Sequence, residues 1–396
     1  MFTPAVCLQA WFAASEPQLT HQPGPVLLSC LEALSRLSAC PPQRWWIEWL
    51  AASHTQLPQL SLTQLAAMQL HMLHLQQEQR SPASWWLEFH AAVLQKASTS
   101  STQQGSAART SSQEAGQEPQ GVLQLPSAAV ELAGAAFAAA GGAGSSLTAE
   151  EADALCTILC TSHYLLEPPP QQWVTGVLQL CTAACRQGSV SAAGALQLLA
   201  ACCCGCCREQ SGTAAAQEAA LGLLQKRMAR LSLVGVSVLF DCLQFDSMVA
   251  QLPGGFADEL ALYLTGVMPG LPTQLLLQVP HTLAAAGWAG QQSEHGERLQ
   301  GALALATQAR LAELSLPELE VLLSGCVSVG LEDMPRVWLV AVLQRVEELW
   351  LHLGQGQGVA AGAGGLSTPQ RTLSVAEMHG QLNVATLLQA VTGSGN

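Results

Sequence analysis

The sequence has little charge, and what it has is mostly acidic. Charged residues make up 11% of the 396 positions, with 28 acidic against 15 basic residues and a net charge of −13. Lysine occurs only at Lys96 and Lys226, and tyrosine only twice. β-branched residues are few while Leu and Ala dominate, which favours helix over strand. The composition therefore predicts an all-α protein without the strongly basic footprint that tight, non-specific binding to phosphate backbones requires.

The sequence also lacks the common motifs of enzymes. It contains no phosphate-binding G-x-x-x-x-G-K-S/T loop, no G-x-G-x-x-G, no H-E-x-x-H and no G-x-S-x-G. The acidic pairs Glu150/Glu151 and Glu347/Glu348 occupy helix-start or solvated positions rather than forming an acid and base pair. We expect neither catalytic activity nor a bound cofactor.

No segment reads as a membrane span or a targeting peptide. The charge-free run from Gln187 to Cys207 contains Gln, Gly and Ser, and the run from Leu260 to Ser293 is interrupted by three prolines. The stretch from Met1 to Ser15 carries no Lys or Arg, unlike a secretory signal or an Arg-rich transit peptide. We expect no membrane-spanning helix.

What the sequence does contain is a recurring Pro-x-x-aromatic motif, each copy followed by an apolar run. Proline suits the first position of a helix, where its missing N–H is not needed, and the aromatic residue then lies in the first turn. We predict that the aromatic residues pack between neighbouring repeats. The copies begin at Pro42, Pro82, Pro170, Pro253 and Pro335, and their aromatic residues are Trp45, Trp85, Trp173, Phe256 and Trp338.

A second signal, a Ser or Thr that opens another helix, precedes most copies of the motif. Several openings have the capping-box form, in which a Glu or Gln three residues on completes reciprocal hydrogen bonds. These are Ser61/Gln64, Thr148/Glu151, Ser315/Glu318 and Ser374/Glu377. Openings recur about every 41 to 43 residues in the second half, at Thr148, Ser191, Ser232, Thr273 and Ser315. Two helices per period of about 38 to 43 residues predict an α-solenoid of about seven antiparallel helix pairs.

Composition divides the chain into five segments. Helical repeats occupy 1–97 and a longer helical-repeat array occupies 121–353. Between them, 98–120 is rich in Ser, Gln, Gly and Thr and is predicted to be a disordered insert. A Gly-rich linker, 354–372, leads to a C-terminal helix in 373–396. That helix is either a cap for the array or the start of a further unit.

Cysteine is abundant, with fourteen residues, but it is not arranged like a secreted disulfide framework. The segment Cys202–Cys207 contains overlapping Cys-x-x-Cys spacings that could bind zinc. On a helix, however, Cys202 and Cys206 are one turn apart, which is core spacing. We predict buried or half-buried thiols, no bound metal and a reducing compartment.

Three further groups of residues are candidate sites. His71, His74 and Glu78 could share one helix face and hold a metal, although a polar face is the expected explanation. His54 and His90 are isolated and are given no role. The only clearly basic stretch supplies the RNA-binding candidates, which are Arg208, Lys226, Arg227 and Arg230. Trp46 and Trp86, next to the repeated Trp, are candidates for a surface role, with repeat packing as the alternative.

The alternating helix openings resemble the octotricopeptide repeat family of green algae. The second-helix likeness lies in Pro41–Trp45, Ser81–Trp85 and Pro168–Trp173, and the first-helix likeness in Leu60–Leu65 and Leu314–Leu319. The resemblance implies a chloroplast or, alternatively, mitochondrial protein. Such a protein would bind single-stranded organelle RNA on a concave face and act in transcript processing, stability or translation, with other proteins of a processing or ribosomal complex as partners. The alternative is a helical-repeat scaffold that binds proteins, including an organelle ribosome-associated role.

Overall fold

The computed structural model describes residues 4–75, 81–106, 147–166, 168–204, 206–245, 252–288, 295–329 and 334–358. These residues form fifteen α-helices joined by turns and short 3-10 segments, and no strand occurs among them. The predicted all-α class is confirmed. The helices are α1 Pro4–Ser15, α2 Gly24–Arg36, α3 Gln43–Gln56, α4 Leu62–His74, α5 Ala83–Ser106, α6 Ala149–Thr161, α7 Gln171–Gln187, α8 Ala192–Cys204, α9 Thr213–Arg227, α10 Leu233–Leu243, α11 Phe256–Val267, α12 Thr273–Ala285, α13 Gly296–Gln308, α14 Leu316–Ser328 and α15 Arg336–Gly358.

The chain divides into two compact units, Met1–Arg227 and Met228–Asn396. Within the first unit, α2, α4, α6 and α8 pack each against the next, and so do α3, α5, α7 and α9. The second unit repeats this pattern with α10, α12 and α14 in one layer and α11, α13 and α15 in the other. Each unit is therefore a two-layer stack of helix pairs. We call the members of each pair the first helix and the second helix. That the seven pairs continue as one solenoid stays a prediction.

First helices begin as the capping signals predict. The Ser61 hydroxyl accepts from the Gln64 backbone N–H at 3.2 Å, while the Gln64 side chain accepts from the Ser61 N–H at 2.9 Å. Thr148 and Glu151 form the same reciprocal pair. The Ser315 N–H donates to the Glu318 carboxylate at 2.8 Å. The fourth predicted capping box, Ser374/Glu377, lies outside the described residues.

Second helices begin one residue later than predicted at four copies of the proline motif, and at the fifth copy α11 begins at Phe256, three residues after Pro253. Pro42 and Pro170 are the residues before the first helical turn, with extended backbones of φ −60°, ψ 148° and φ −55°, ψ 137°. Pro82 and Pro335 likewise precede α5 and α15. The fixed φ of proline is compatible with this flanking position as well as with the first turn. The aromatic residue still lies in the first turn, as the spacing requires.

The five repeated aromatic residues are all buried, with at most 3% of their surface exposed. Four of them donate a hydrogen bond from the indole N–H to the preceding second helix or, in the case of Trp45, to the end of α1. The acceptors are the Ser15 hydroxyl for Trp45 (3.0 Å), the Ser53 hydroxyl for Trp85 (3.2 Å), the His90 carbonyl for Trp173 (2.9 Å) and the Thr307 hydroxyl for Trp338 (2.7 Å). Each bond ties one pair to the next, so these residues set the register of the stack.

Two helices extend beyond their predicted ends. Helix α5 continues to Ser106, so the first part of the predicted insert 98–120 is helical, and α15 continues to Gly358, into the predicted linker 354–372. Both segments lack apolar periodicity, but each follows directly from a well-packed helix. The remainder of the insert, the rest of the linker and the predicted helix in 373–396 lie outside the described residues. None of the helices in the described ranges combines the length and apolar content that crossing a bilayer requires.

Candidate interaction surface

One side of the first helices remains uncovered in both units. We number each first helix from the residue before it, which is position 0. Positions 2, 6, 9 and 13 are then exposed or half-buried wherever the structure describes the side chain, except at Ala154. These positions recur at three- and four-residue steps and so lie along one side of each helix. We call this surface the first-helix face. In the first unit it crosses four adjacent helices, which at 8–10 Å per helix gives a width of roughly 30 Å.

The first-helix face carries almost no positive charge. Of its residues, Arg36 is the sole Lys or Arg, and it pairs with Glu32 on the same helix at 2.6 Å. The other charged residues are Glu150 and Asp241, and the remainder are small, polar or apolar. Exposed apolar members include Leu70 in the first unit and Val234 and Val321 in the second. The face is therefore neutral to weakly acidic, with apolar side chains scattered along it.

Side chains on this face also join neighbouring first helices. The Thr157 hydroxyl donates to the Gln197 side-chain oxygen at 2.8 Å, between α6 and α8. At the equivalent repeat positions, His281 Nε2 lies 2.9 Å from the Val321 carbonyl oxygen, between α12 and α14. In both cases position 9 of one helix contacts position 6 of the next. A contact between the same two register positions in both units supports the repeat-like character of the chain.

Of the four basic residues predicted to bind RNA, Arg227 is engaged within the fold. Its guanidinium donates to the carbonyl oxygens of Gly188 (2.7 Å) and Val190, in the connection between α7 and α8. Arg310 does the same in the second unit, donating to the carbonyl oxygens of Leu271 (2.5 Å) and Pro269 (3.3 Å). Each arginine donates hydrogen bonds to the connection between the preceding helix pair and its own pair. A structural role therefore accounts for both residues.

Of the other three candidates, Arg208 and Lys226 lie at opposite ends of α9 in the first unit. Arg208 precedes α9 and Lys226 lies in its last turn, so the 15-residue helix separates them by roughly 20 Å. Both are exposed, and a positive charge in the last turn is favourable to the helix dipole. Arg230 is exposed and belongs to the second unit.

The two tryptophans considered for a surface role are buried. Trp46 is 1% exposed and stacks on Trp49, with ring centroids 4.9 Å apart and planes 8° from parallel. Trp86 is 3% exposed and lies edge-on to Trp85 at 5.0 Å. A surface role for either residue was therefore wrong, and the packing alternative holds. Two adjacent aromatics fit because second helices are covered both by their own first helix and by the neighbouring second helices.

His71 and His74 lie near the end of α4, beside Glu32 and Arg36 of α2. Partial burial lowers the pKa of His71, with smaller effects from Glu32, which raises it, and from His74 and Arg36, which lower it. Glu78, the third predicted member of that group, lies outside the described residues. Across the described ranges, no three His, Cys, Asp or Glu side chains come together in a way that could hold a metal ion.

The cysteine-rich segment packs mostly inward. Cys202, Cys203 and Cys207 are buried and Cys206 is half-buried. Burial raises the pKa of Cys202, and a hydrogen bond with Cys206 together with burial raises the pKa of Cys207. The same hydrogen bond lowers the pKa of the Cys206 thiol, whose sulfur lies 3.9 Å from that of Cys207. Thiols of raised pKa in such an environment act as small apolar groups.

His90, for which the sequence predicts no role, is a buried histidine of the first unit. It is 2% exposed, its ring centroid lies 4.6 Å from that of Trp173, and neither ring nitrogen has a hydrogen-bond partner. Burial lowers its pKa to about 3. His90 lies five residues after Trp85. The sequence could have indicated its burial, because the equivalent position in the other pairs holds Leu or Ala, which are buried in every pair before the last.

No protein-family model, curated protein or solved structure was found to match this chain. Its likeness to the octotricopeptide repeat family therefore rests on the quoted helix openings alone.

Proposed function

We propose that the chain is a non-catalytic helical-repeat scaffold that binds another polypeptide across the first-helix face. The observation that carries this proposal is the near absence of positive charge on that face. RNA held on a surface needs several Lys or Arg side chains to neutralise phosphates. Uncharged polar and apolar side chains across stacked helices suit a protein segment better. The proposal includes the seven pairs continuing as a solenoid.

A charge placed on this face should disrupt partner binding. Leu70 is 44% exposed on the first-helix face, and Ile47, on the second helix α3, is 55% exposed away from it. We expect Leu70→Glu to abolish crosslinks between a co-purified partner and this face, identified by mass spectrometry, and Ile47→Glu to leave them intact. Loss with both variants, or with neither, would contradict the proposal.

RNA binding in an organelle is the second candidate function. It is supported by the likeness of the helix openings to octotricopeptide repeats and by the exposed cations Arg208, Lys226 and Arg230. It would place the protein in the chloroplast or mitochondrion, acting on single-stranded transcripts. Arg227 should be left unchanged in any test, because its loss would disturb the fold.

Crosslinking of the tagged protein to RNA in cells, followed by sequencing, separates the two candidates. Recovery of one or a few organelle transcripts, lost when Arg208, Lys226 and Arg230 are replaced by Glu, would favour RNA binding. RNA at background, with a partner crosslinked to the first-helix face, would favour the scaffold.

A further inference from the structure

The last helix pair leaves uncovered two positions that are buried in every earlier pair. We count positions in each second helix from the repeated aromatic residue. Helices α9 and α13 lack that residue, and Ala216 and Leu299 take its place in the count. The two are equivalent because an arginine, Arg227 or Arg310, follows each of them eleven residues later and donates to the preceding connection. Twelve residues after this position, Trp350 is 49% exposed. Its counterparts are at most 6% exposed, and they are Leu57, Ala97, Cys185, Met228, Met268 and Leu311.

A second register position gives the same result. Five residues after the aromatic position, Leu343 is 37% exposed, whereas all six earlier counterparts are at most 6% exposed. In the first helix of the same pair, Leu323 is half-buried, and Val327, four residues later, is 45% exposed. These apolar residues of α14 and α15 form an end surface on the second unit. Within each unit, the next second helix contacts the segment that holds the residue equivalent to Trp350. Helix α5 contacts Leu57–Gln59, α13 contacts Met268–Gly270 and α15 contacts Leu311–Glu313.

We propose that residues 374–390 of the same chain pack as a helix on this end surface. The segment repeats the sequence pattern of the first helices. After the capping-box residues Ser374 and Glu377, apolar residues follow the cap at positions 1, 4, 8, 11 and 14. They are Val375, Met378, Leu382, Ala385 and Leu388. In α14 and the residue that follows it, the same positions after Ser315 hold Leu316, Leu319, Leu323, Cys326 and Val329. One position departs from the pattern, since Gln381 replaces an apolar residue at position 7.

The connection is long enough for this docking. A first helix that follows α15 begins near its C-terminal end, as α14 begins near the end of α13. Fifteen residues, 359–373, separate Gly358 from Ser374. At 3.3–3.6 Å per residue, they can span up to about 50 Å, more than the roughly 35 Å length of α15 at 1.5 Å per residue. A helix in this position would close the open apolar end that a stack of repeats otherwise exposes.

Photo-crosslinking of the full chain tests the contact directly. A benzoylphenylalanine at position 343 should crosslink to 374–390 of the same chain, and one at the neighbouring exposed position 344 should not. The product should not depend on protein concentration. Crosslinks between two chains that fade on dilution, or no crosslink to 374–390, would overturn the proposal.

Hydrogen exchange with matched variants provides the second test. Leu382 is at a docking position and Leu387 is at position 13, on the outward side. We expect amides in 375–390 to exchange at least ~10-fold faster in Leu382→Asp than in the native chain, and Leu387→Asp to match the native chain. The first unit serves as an internal folding control. Equal exchange in both variants would refute docking through the Leu382 face.

Discussion

The buried His90 makes the stability of the first unit depend on pH. Its pKa is lowered to about 3 by burial, against an ordinary value of 6.5. As pH falls below 6.5, the unfolded chain takes up a proton that the folded chain excludes. Folded-state stability from this group is therefore present above pH 6.5 and is lost progressively down to pH 3.

The magnitude follows from those two pKa values. Between pH 7 and pH 5 the unfolded chain binds a proton at His90 and the folded chain does not. This difference lowers the free energy of unfolding by about 2 kcal/mol. The structure gives the cause, because the ring lies among Trp86, Phe89 and Trp173 with no hydrogen-bond partner on either nitrogen. A charge at that place would be desolvated without compensation.

Urea unfolding at pH 7 and pH 5 checks this value in the native chain, His90→Leu and the control His54→Leu. His54 is exposed on α3. We expect the difference in unfolding free energy between the two pH values to be about 2 kcal/mol smaller in His90→Leu than in the other two proteins. The His90 ring proton resonances should not titrate above pH 5. Titration near pH 6, or the same pH dependence in all three proteins, would refute the reasoning.

Three further predictions concern single contacts. Trp338→Phe should lower the free energy of unfolding of the second unit by about 1–2 kcal/mol, because it leaves the buried Thr307 hydroxyl without its 2.7 Å donor; the same change in a Thr307→Val background should cost less. Arg227→Gln should destabilise the first unit by about 1–2 kcal/mol in urea unfolding, whereas Lys226→Gln should not, and equal effects would contradict the structural role of Arg227. Ser315→Ala should lower the free energy of unfolding of the second unit by about 1 kcal/mol through loss of the helix cap. In an NMR titration, the pKa of Glu318, which hydrogen bonds from Ser315 lower, should return toward its ordinary value.

The local geometry of the repeats could be predicted from the sequence because it depends on residues a few positions apart. The capping pairs Ser61/Gln64 and Thr148/Glu151 form within three residues, so their letters suffice to locate helix starts. The proline motif placed an aromatic in each first turn for the same reason. The one-residue error at Pro42 arose because proline tolerates both the flanking position and the first turn.

The roles of exposed or charged residues were decided by partners about forty positions away. In the sequence Arg227 belongs to a basic stretch, but in the structure its guanidinium donates to the carbonyl oxygens of Gly188 and Val190. Trp46 and Trp86 are buried because helices from neighbouring pairs cover them. The shortage of cations on the first-helix face was present in the sequence, but no pattern marked which helix positions would face outward.

The sequence by itself determined the helical class, the recurrence of helix pairs and the helix starts to within a few residues, since these follow from hydrogen bonds and side-chain spacing within one or two turns. The tertiary structure alone decided which residues are covered. Trp350 and Leu343 occupy register positions that are buried in every earlier pair and are exposed in the last one. Burial depends on the packing of the next pair, which a residue's own local sequence does not specify.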